Sequence, residues 1–276
     1  MINPADVSAH YDQADLTQKV DRALQAAGLG EGLLTTAQLA PLDQFHARGL
    51  AATIELADVL APSPEDKIID VGSGLGGPSR YLAAQFGCEV VGVDLSPSYV
   101  QAASFLASRT SLGTKVRYQC ASALALPFAD GQFDIAWTQH VAMNIADRAG
   151  FYREIQRVLR PGGRLALYDV IAGNGGALTF PLPWSRRPET SFLLNSADMR
   201  AITQRQGFEI ISWVDQTAET IEWFEQMQRA PQNDAPPRPL GLHLAVGSDF
   251  ATMAAHLLND LKQQRAGILQ AVLQRL

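Results

Sequence analysis

The chain has 276 residues, 47% of them hydrophobic and 18% charged, which suits one large domain with additions or two small ones and excludes a disordered chain. A formal net charge of -6 argues against a broad phosphate-binding face for DNA or RNA. Two cysteines are too few for a disulfide framework or a cysteine zinc site, and no apolar run approaches the roughly 20 residues of a membrane span.

In chain order, residues 1–62 read as a helical leader. Leu16, Val20 and Leu24 recur at i, i+4 and i+8, and Gly28 stops that helix. A second helix is predicted from near Pro41, carrying Phe45, Leu50, Ile54, Leu56 and Leu60. After the break Ala61-Pro62-Ser63-Pro64, strands and helices alternate. The strands are placed at 67–71, 89–93, 115–120, 133–138 and 164–170, with helices around 78–86, 97–108 and 148–159. Such alternation indicates an α/β fold whose parallel sheet is covered on both faces, with ligands held beyond the carboxyl ends of the strands. Residues 171–195, rich in glycine, proline and aromatics, interrupt the rhythm, and a loop this long is usually functional. A helix around 197–206 and a strand at 208–214 resume it. A second irregular insert at 230–247, a helix near 248–264 and a strand near 267–273 complete a core of residues 63–276. Cys88 and Cys120 both lie in apolar strand-like runs and read as buried free thiols. The start Met1-Ile2-Asn3-Pro4 lacks the basic and apolar blocks of a signal peptide, so a soluble cytoplasmic protein is expected.

The densest signal is Ile68-Ile69-Asp70-Val71-Gly72-Ser73-Gly74-Leu75-Gly76-Gly77-Pro78, followed at the end of the next strand by Gly92-Val93-Asp94. Gly72, Gly74 and Gly77 spell G-x-G-x-x-G, so a dinucleotide site of a nicotinamide-dependent oxidoreductase is one reading. Asp70 opposes it, because a carboxylate just before the turn would repel a pyrophosphate. Asp70 suits a ligand with an ammonium group and positive charge, and S-adenosylmethionine is such a ligand.

With these motifs stand Ala123-Leu124-Ala125-Leu126-Pro127-Phe128, Phe133-Asp134 and Arg157-Val158-Leu159-Arg160-Pro161-Gly162-Gly163. Together and in this order they resemble the class I S-adenosylmethionine-dependent methyltransferases over about residues 65–215. The small-molecule branch is the most similar, including sarcosine/dimethylglycine, sterol, tocopherol and sugar methyltransferases. Asp43-Gln44-Phe45-His46 followed by Gly49 resembles the His-containing segment that precedes the core in that branch. The resemblance implies a Rossmann-like, mostly parallel seven-stranded sheet with an antiparallel last strand, the leader as a lid, and methyl transfer from S-adenosylmethionine. It implies that Asp70, Ser73 and the backbone at Gly72, Gly74 and Gly76 hold the methionine end. Asp94 would accept the ribose hydroxyls, Leu95 would pack on the adenine, and Ser122 and Ala123 would meet its edge. Ser122 stands where many relatives have Asp, and a loop hydroxyl is its other reading. Tyr11 and Gln139 complete the expected cofactor contacts.

A hydroxyl or carbon nucleophile benefits from a base, whereas an amine need only be bound neutral. His140 follows the fourth strand at the ligand edge and Asp169 ends the fifth, so the two are expected to pair as base and orienting carboxylate. A pocket-shaping His140 and a loop-capping Asp169 are the other readings. His46 is a third candidate. Asn144, which cannot act as a base, stands where some sugar-methylating relatives place a His. Phe180, Trp184 and Phe192 are expected to line a pocket for a small or medium metabolite, and Arg186 and Arg187 read as a solvated pair on the insert. No metal site, nucleic acid or membrane partner is expected, and a homodimer is left open. The remaining alternative is a protein that holds the cofactor without methyl transfer.

Overall fold

In the computed structural model, residues 15–229, 239–247 and 249–276 are described. Strand β1 (Lys67–Val71) is buried at every residue after Lys67, as an apolar run covered on both faces requires. It pairs in parallel with β2 (Glu89–Asp94) and β4 (Phe133–Gln139); β2 pairs with β3 (Val116–Cys120), and β4 with β5 (Leu159–Ala172), again in parallel. The sheet closes on β6 (Phe208–Asp215) and β7 (Ala266–Arg275), and β7 lies antiparallel between β5 and β6. The order is β3-β2-β1-β4-β5-β7-β6, seven strands in all. This is the Rossmann-like α/β sheet expected from the sequence, with its reversed last strand.

Helices cover both faces. On one side, residues of α3 (Leu50–Leu60), α4 (Gly77–Phe86) and the helix Phe250–Lys262 pack with Trp137, Tyr168 and Ile268 of the strands. On the other, Phe151, Tyr152 and Ile155 of α6 (Arg148–Val158) pack on Ile69, Val71, Leu165 and Leu167. A third cluster joins α1 (Leu16–Ala26) and α2 (Thr36–Asp43) to α5 (Pro97–Ser108), burying Leu16, Val20, Leu24, Leu39 and Leu42. The leader is therefore seated on the core beside the β2 crossover.

Several expectations are corrected. The helix expected from Pro41 to Leu60 is two helices. A capping box of Thr35 with Gln38 starts α2, and α2 ends at Asp43. Residues 44–49 then turn through positive φ at Arg48 and Gly49 before α3 begins. A helix over Thr217–Arg229, α8 after α7 (Ser196–Arg205), was not anticipated; its Ile221 and Phe224 face the core at helical spacing. The short helix α9 (His243–Val246) and α10 (Phe250–Lys262) follow. Cys88 is buried as expected, but Cys120 is exposed, because β3 is the edge strand. Residues 230–238 of the second insert lie outside the described residues. Among the described residues no helix is long and apolar enough to cross a membrane.

Candidate functional site

A cavity of about 460 Å³ opens at the carboxyl ends of β1, β2, β3 and β4. From the sequence-predicted set, Asp70, Gly72, Ser73, Gly74, Asp94, Leu95, Ser122, Ala123, Gln139, His140, His46 and Phe192 line it. It is where a parallel sheet exposes its strand ends and loops to a ligand.

The glycine turn is closed by its own hydrogen bonds. The Gly72 and Ser73 amides donate to the Val93 carbonyl at 2.7 and 3.0 Å, and the Gly76 amide to the Ser73 carbonyl at 2.7 Å. The Gly74 amide donates to Asp94 Oδ2 at 2.9 Å, and the Ser96 amide to Asp94 Oδ1 at 2.9 Å. The Gly72, Gly74 and Gly76 amides are thus engaged within the turn, while Gly72 and Gly74 line the cavity. Gly76 is absent from the cavity lining; it caps α4 at a φ of 77°, and its carbonyl accepts from Tyr118 Oη at 3.0 Å. At this end of the cavity the Asp70 and Ser73 side chains stand beside the backbone of Gly72 and Gly74.

The start of α4 carries its own anion. A Cβ on Gly77 would stand 2.4 Å from the Asp43 carbonyl oxygen and 2.6 Å from Asp43 Oδ1, so the Asp43 segment lies against that helix end. Asp43 is held there by a buried ion pair, Oδ2 to Arg80 Nη2 at 2.7 Å. A pyrophosphate bound as in a dinucleotide site needs free amides and an unopposed helix dipole. Here it would meet engaged amides and the carboxylates of Asp43 and Asp70.

The same features fit a cationic nucleoside. Asp70 is buried, accepts from Ser79 Oγ at 2.5 Å, and has its pKa pushed up to about 7 by burial first, with the Asp94 charge adding and the Ser79 hydrogen bond opposing. Burial raises the Asp94 carboxyl too, against the pull of the Ser96 and Gly74 amides. Ser73 Oγ and Gln139 Nε2 are buried without a hydrogen-bond partner. Unpaired buried polar atoms are costly, and a ligand with an ammonium, a diol and a base edge would satisfy groups of these kinds.

At the other end, two histidines meet. The His46 and His140 ring centroids lie 6.1 Å apart, edge to face, and His140 stacks on Tyr168 at 5.4 Å and 6°. The His140 amide extends the β4–β5 ladder to the Tyr168 carbonyl at 2.8 Å, after which the backbone turns through φ 54°. Left-handed backbone at a half-buried non-glycine residue is held in place by its surroundings and aims the side chain. Burial depresses the His140 pKa well below the ordinary value, with His46 nearby acting in the same direction, so the imidazole is neutral and its buried Nε2 has no partner. His46 is lowered to about 4, by burial, with the bond to Gly49 opposing. Its Nε2 lies 2.9 Å from the Gly49 carbonyl, so that nitrogen carries the proton and closes the turn.

Other predicted residues are elsewhere. Asp169 does not orient His140. Its Oδ2 accepts from the Ala142 amide at 3.2 Å and faces Arg148 Nη1 at 3.9 Å. Arg148 in turn donates to the Phe192 carbonyl at 2.7 Å, so Asp169 supports the insert from behind the cavity wall. Burial pushes Asp169 up to about 7, opposed by Arg148. Phe180 packs against the core rather than the main cavity, and Trp184 is buried with Nε1 donating to Ser191 Oγ at 2.9 Å. Trp184 instead lines a smaller adjoining cavity. Arg186 and Arg187 are both exposed, as expected, and Arg186 pairs with Asp249. Tyr11 lies outside the described residues. Sequence reasoning missed Asp43 and Phe45 as lining, although both sit in the segment it had singled out, and it missed Arg80, which no local pattern marks. Among the described residues, no group of three or more His, Cys, Asp or Glu is placed to hold a metal.

Comparison with known proteins agrees with this geometry. Residues 69–167 match a family model described as methyltransferase domain. The tocopherol O-methyltransferase of Arabidopsis thaliana, a chloroplastic protein, is 46% identical over 101 residues, covering 37% of this chain and 29% of that protein. The 2-methyl-6-phytyl-1,4-hydroquinone methyltransferase of Synechocystis is 32% identical over 164 residues, covering 58% of this chain and 50% of that protein. The chain thus spans half or less of the length of these two relatives. In structure, the geranyl diphosphate C-methyltransferase of Streptomyces coelicolor superposes with a TM-score of 0.71 at 17% identity, covering 99% of each chain, which shows the fold. Residues 69–167 thus match a methyltransferase domain, and with its β1–turn–α4 element and reversed last strand the chain is similar to the class I S-adenosylmethionine-dependent small-molecule methyltransferases.

Proposed function

We propose that this protein transfers the methyl group of S-adenosylmethionine to an oxygen, nitrogen or carbon nucleophile of a small-molecule acceptor. One observation carries the reading. A single cavity joins the Asp70 and Asp94 carboxylates to a neutral His140 whose Nε2 has no hydrogen-bond partner. When bound, the cofactor supplies an electrophilic methyl group on a sulfonium. Asp70 would hold its ammonium and Asp94 its ribose diol, with Leu95, Ser122 and Ala123 toward the adenine. His140 Nε2 takes the proton of an acceptor hydroxyl, and Gln139 Nε2 donates to the oxygen as charge develops on it. The cavity walls hold the acceptor in place and keep water out, which is most of what an already activated donor needs. The relatedness to a tocopherol O-methyltransferase and a hydroquinone methyltransferase supports an acceptor that presents a ring hydroxyl.

Calorimetric titration with S-adenosylmethionine, S-adenosylhomocysteine and NADH tests the reading. The two sulfur nucleosides are expected to bind and NADH is not. Asp94→Ala is expected to weaken nucleoside binding at least tenfold; unchanged affinity would mean that the ribose lies elsewhere. His140→Ala is expected to keep cofactor affinity and to lower turnover of a hydroxyl acceptor about 100-fold or more. Unimpaired turnover would remove His140 as the base.

A further inference from the structure

Beside the main cavity lies a second of about 50 Å³, sharing Phe45, His46 and His140 with it. Its remaining walls are Met143, Trp184, Trp223, Phe224, Leu257 and their apolar neighbours, and among the described residues no Asp, Glu, Lys or Arg lines it. The two histidines at the junction are kept neutral by burial. We infer that this annex is the acceptor's anchoring subsite, taking a compact uncharged alkyl or aryl group while the reacting atom rests against His140 in the main cavity. The inference rests on the methyl-transfer reading and adds the acceptor's class to it.

Three features argue for an uncharged occupant. Space this small, walled by carbon and aromatic faces, gains from apolar contact and offers water few hydrogen bonds. A carboxylate or phosphate there would be stripped of water and would meet no cation of the described residues. An ammonium would find aromatic faces, but among the described residues no carboxylate lines the annex to offset its desolvation, and aliphatic Met143, Leu242, Ala254 and Leu257 occupy other walls. The Trp184 indole is already engaged with Ser191, so it presents a ring and not a donor. Location completes the argument. The annex opens at the two imidazoles, so a group seated in it leaves the rest of the molecule at His140. The annex wall includes α8, α10 and Leu242, all beyond the matched domain of residues 69–167, so it is a place where this chain sets its own specificity.

The experiment uses the full chain loaded with S-adenosylhomocysteine and a matched probe series: phenol, 4-isopropylphenol, 4-hydroxybenzoate and tyramine. Calorimetry reads affinity, and 19F spectra of 5-fluorotryptophan protein read contact at Trp184 and Trp223. The expected result is that 4-isopropylphenol binds at least tenfold tighter than each of the other three and shifts both tryptophan signals. Ala254→Phe, which fills the annex from a half-buried helical position, should erase that preference, and Trp223→Ala should weaken it, both leaving S-adenosylhomocysteine affinity within twofold. Equal affinities across the series, no binding of 4-isopropylphenol, a preference for tyramine or 4-hydroxybenzoate, or a preference untouched by both variants would overturn the annex assignment. Failure of wild-type protein to bind S-adenosylhomocysteine would instead overturn the methyl-transfer reading beneath it.

Discussion

At Asp70, burial and the Asp94 charge hold the carboxyl near a pKa of about 7, so the free protein carries a mixture of ionised and protonated Asp70 at neutral pH. A cationic ligand binds the ionised form, so affinity for S-adenosylmethionine should rise between pH 6 and 8 and level off above. Below pH 7 the slope should approach about tenfold per unit. His46 and His140, both shifted down, do not titrate in that window. Calorimetry in buffers of different ionisation enthalpy checks this through proton release on binding, and a flat profile would show that Asp70 does not face the cation. The stability sign is the reverse. A carboxyl whose folded pKa lies above its ordinary 3.8 keeps a proton that the unfolded chain releases, so Asp70 and Asp169 both make the ligand-free protein less stable as pH rises from about 4 to 7. Asp70→Asn should therefore stabilise the ligand-free protein at pH 8 by an amount on the order of 1 kcal/mol while abolishing tight cofactor binding. Thermal melts at pH 5 and pH 8 separate that gain from a pH-independent one.

The element that decides the cofactor end is the start of α4, where two chain segments approach closely. A methyl group at Gly77 would collide with the Asp43 backbone, which cannot swing aside as a long side chain does. Gly77→Ala should cost about 2–4 kcal/mol and push residues 43–46 away from the cavity, weakening cofactor binding as well. Denaturant unfolding and calorimetry on the same variant check both; a stable variant with normal affinity would show that the segment yields freely. The β1–turn–α4 element itself was legible in the sequence, because an apolar run, a carboxylate and closely spaced glycines have few other uses. The helices around residues 36–60 were not read correctly. Periodicity alone joined α2 to α3, whereas the Thr35–Gln38 capping box and the left-handed turn at Arg48 and Gly49 part them. That turn matters to function, since it delivers Phe45 and His46 to the cavity.

Across the whole molecule, the buried Asp43–Arg80 pair ties the leader to the core. Arg80 Nη2 also donates to the Leu75 carbonyl at 2.6 Å and Nη1 to Tyr118 Oη at 3.1 Å, so one guanidinium links the α2 turn, the glycine loop and β3. Arg80→Met leaves a buried carboxylate without its partner and should cost about 3–5 kcal/mol, whereas Arg80→Met with Asp43→Leu should cost clearly less than the sum of the two single changes. A double-mutant cycle from urea unfolding measures the coupling; additive losses would show that the pair does not hold leader to core. The sequence by itself determined the α/β sheet and the place of Asp70 and Asp94 at the carboxyl ends of their strands, because these follow from local patterns of burial and turn chemistry within short segments. It also pointed to the segment Asp43–His46 without showing its place. Only the tertiary structure decided that Asp43 answers to Arg80, that Asp169 serves Arg148 and not His140, and that Trp184 lines a smaller cavity beside the one that Asp70 and Asp94 line. Those assignments join residues far apart in the chain. Which partner a buried charge or ring finds depends on how the leader and insert pack over the sheet, and no local propensity encodes that.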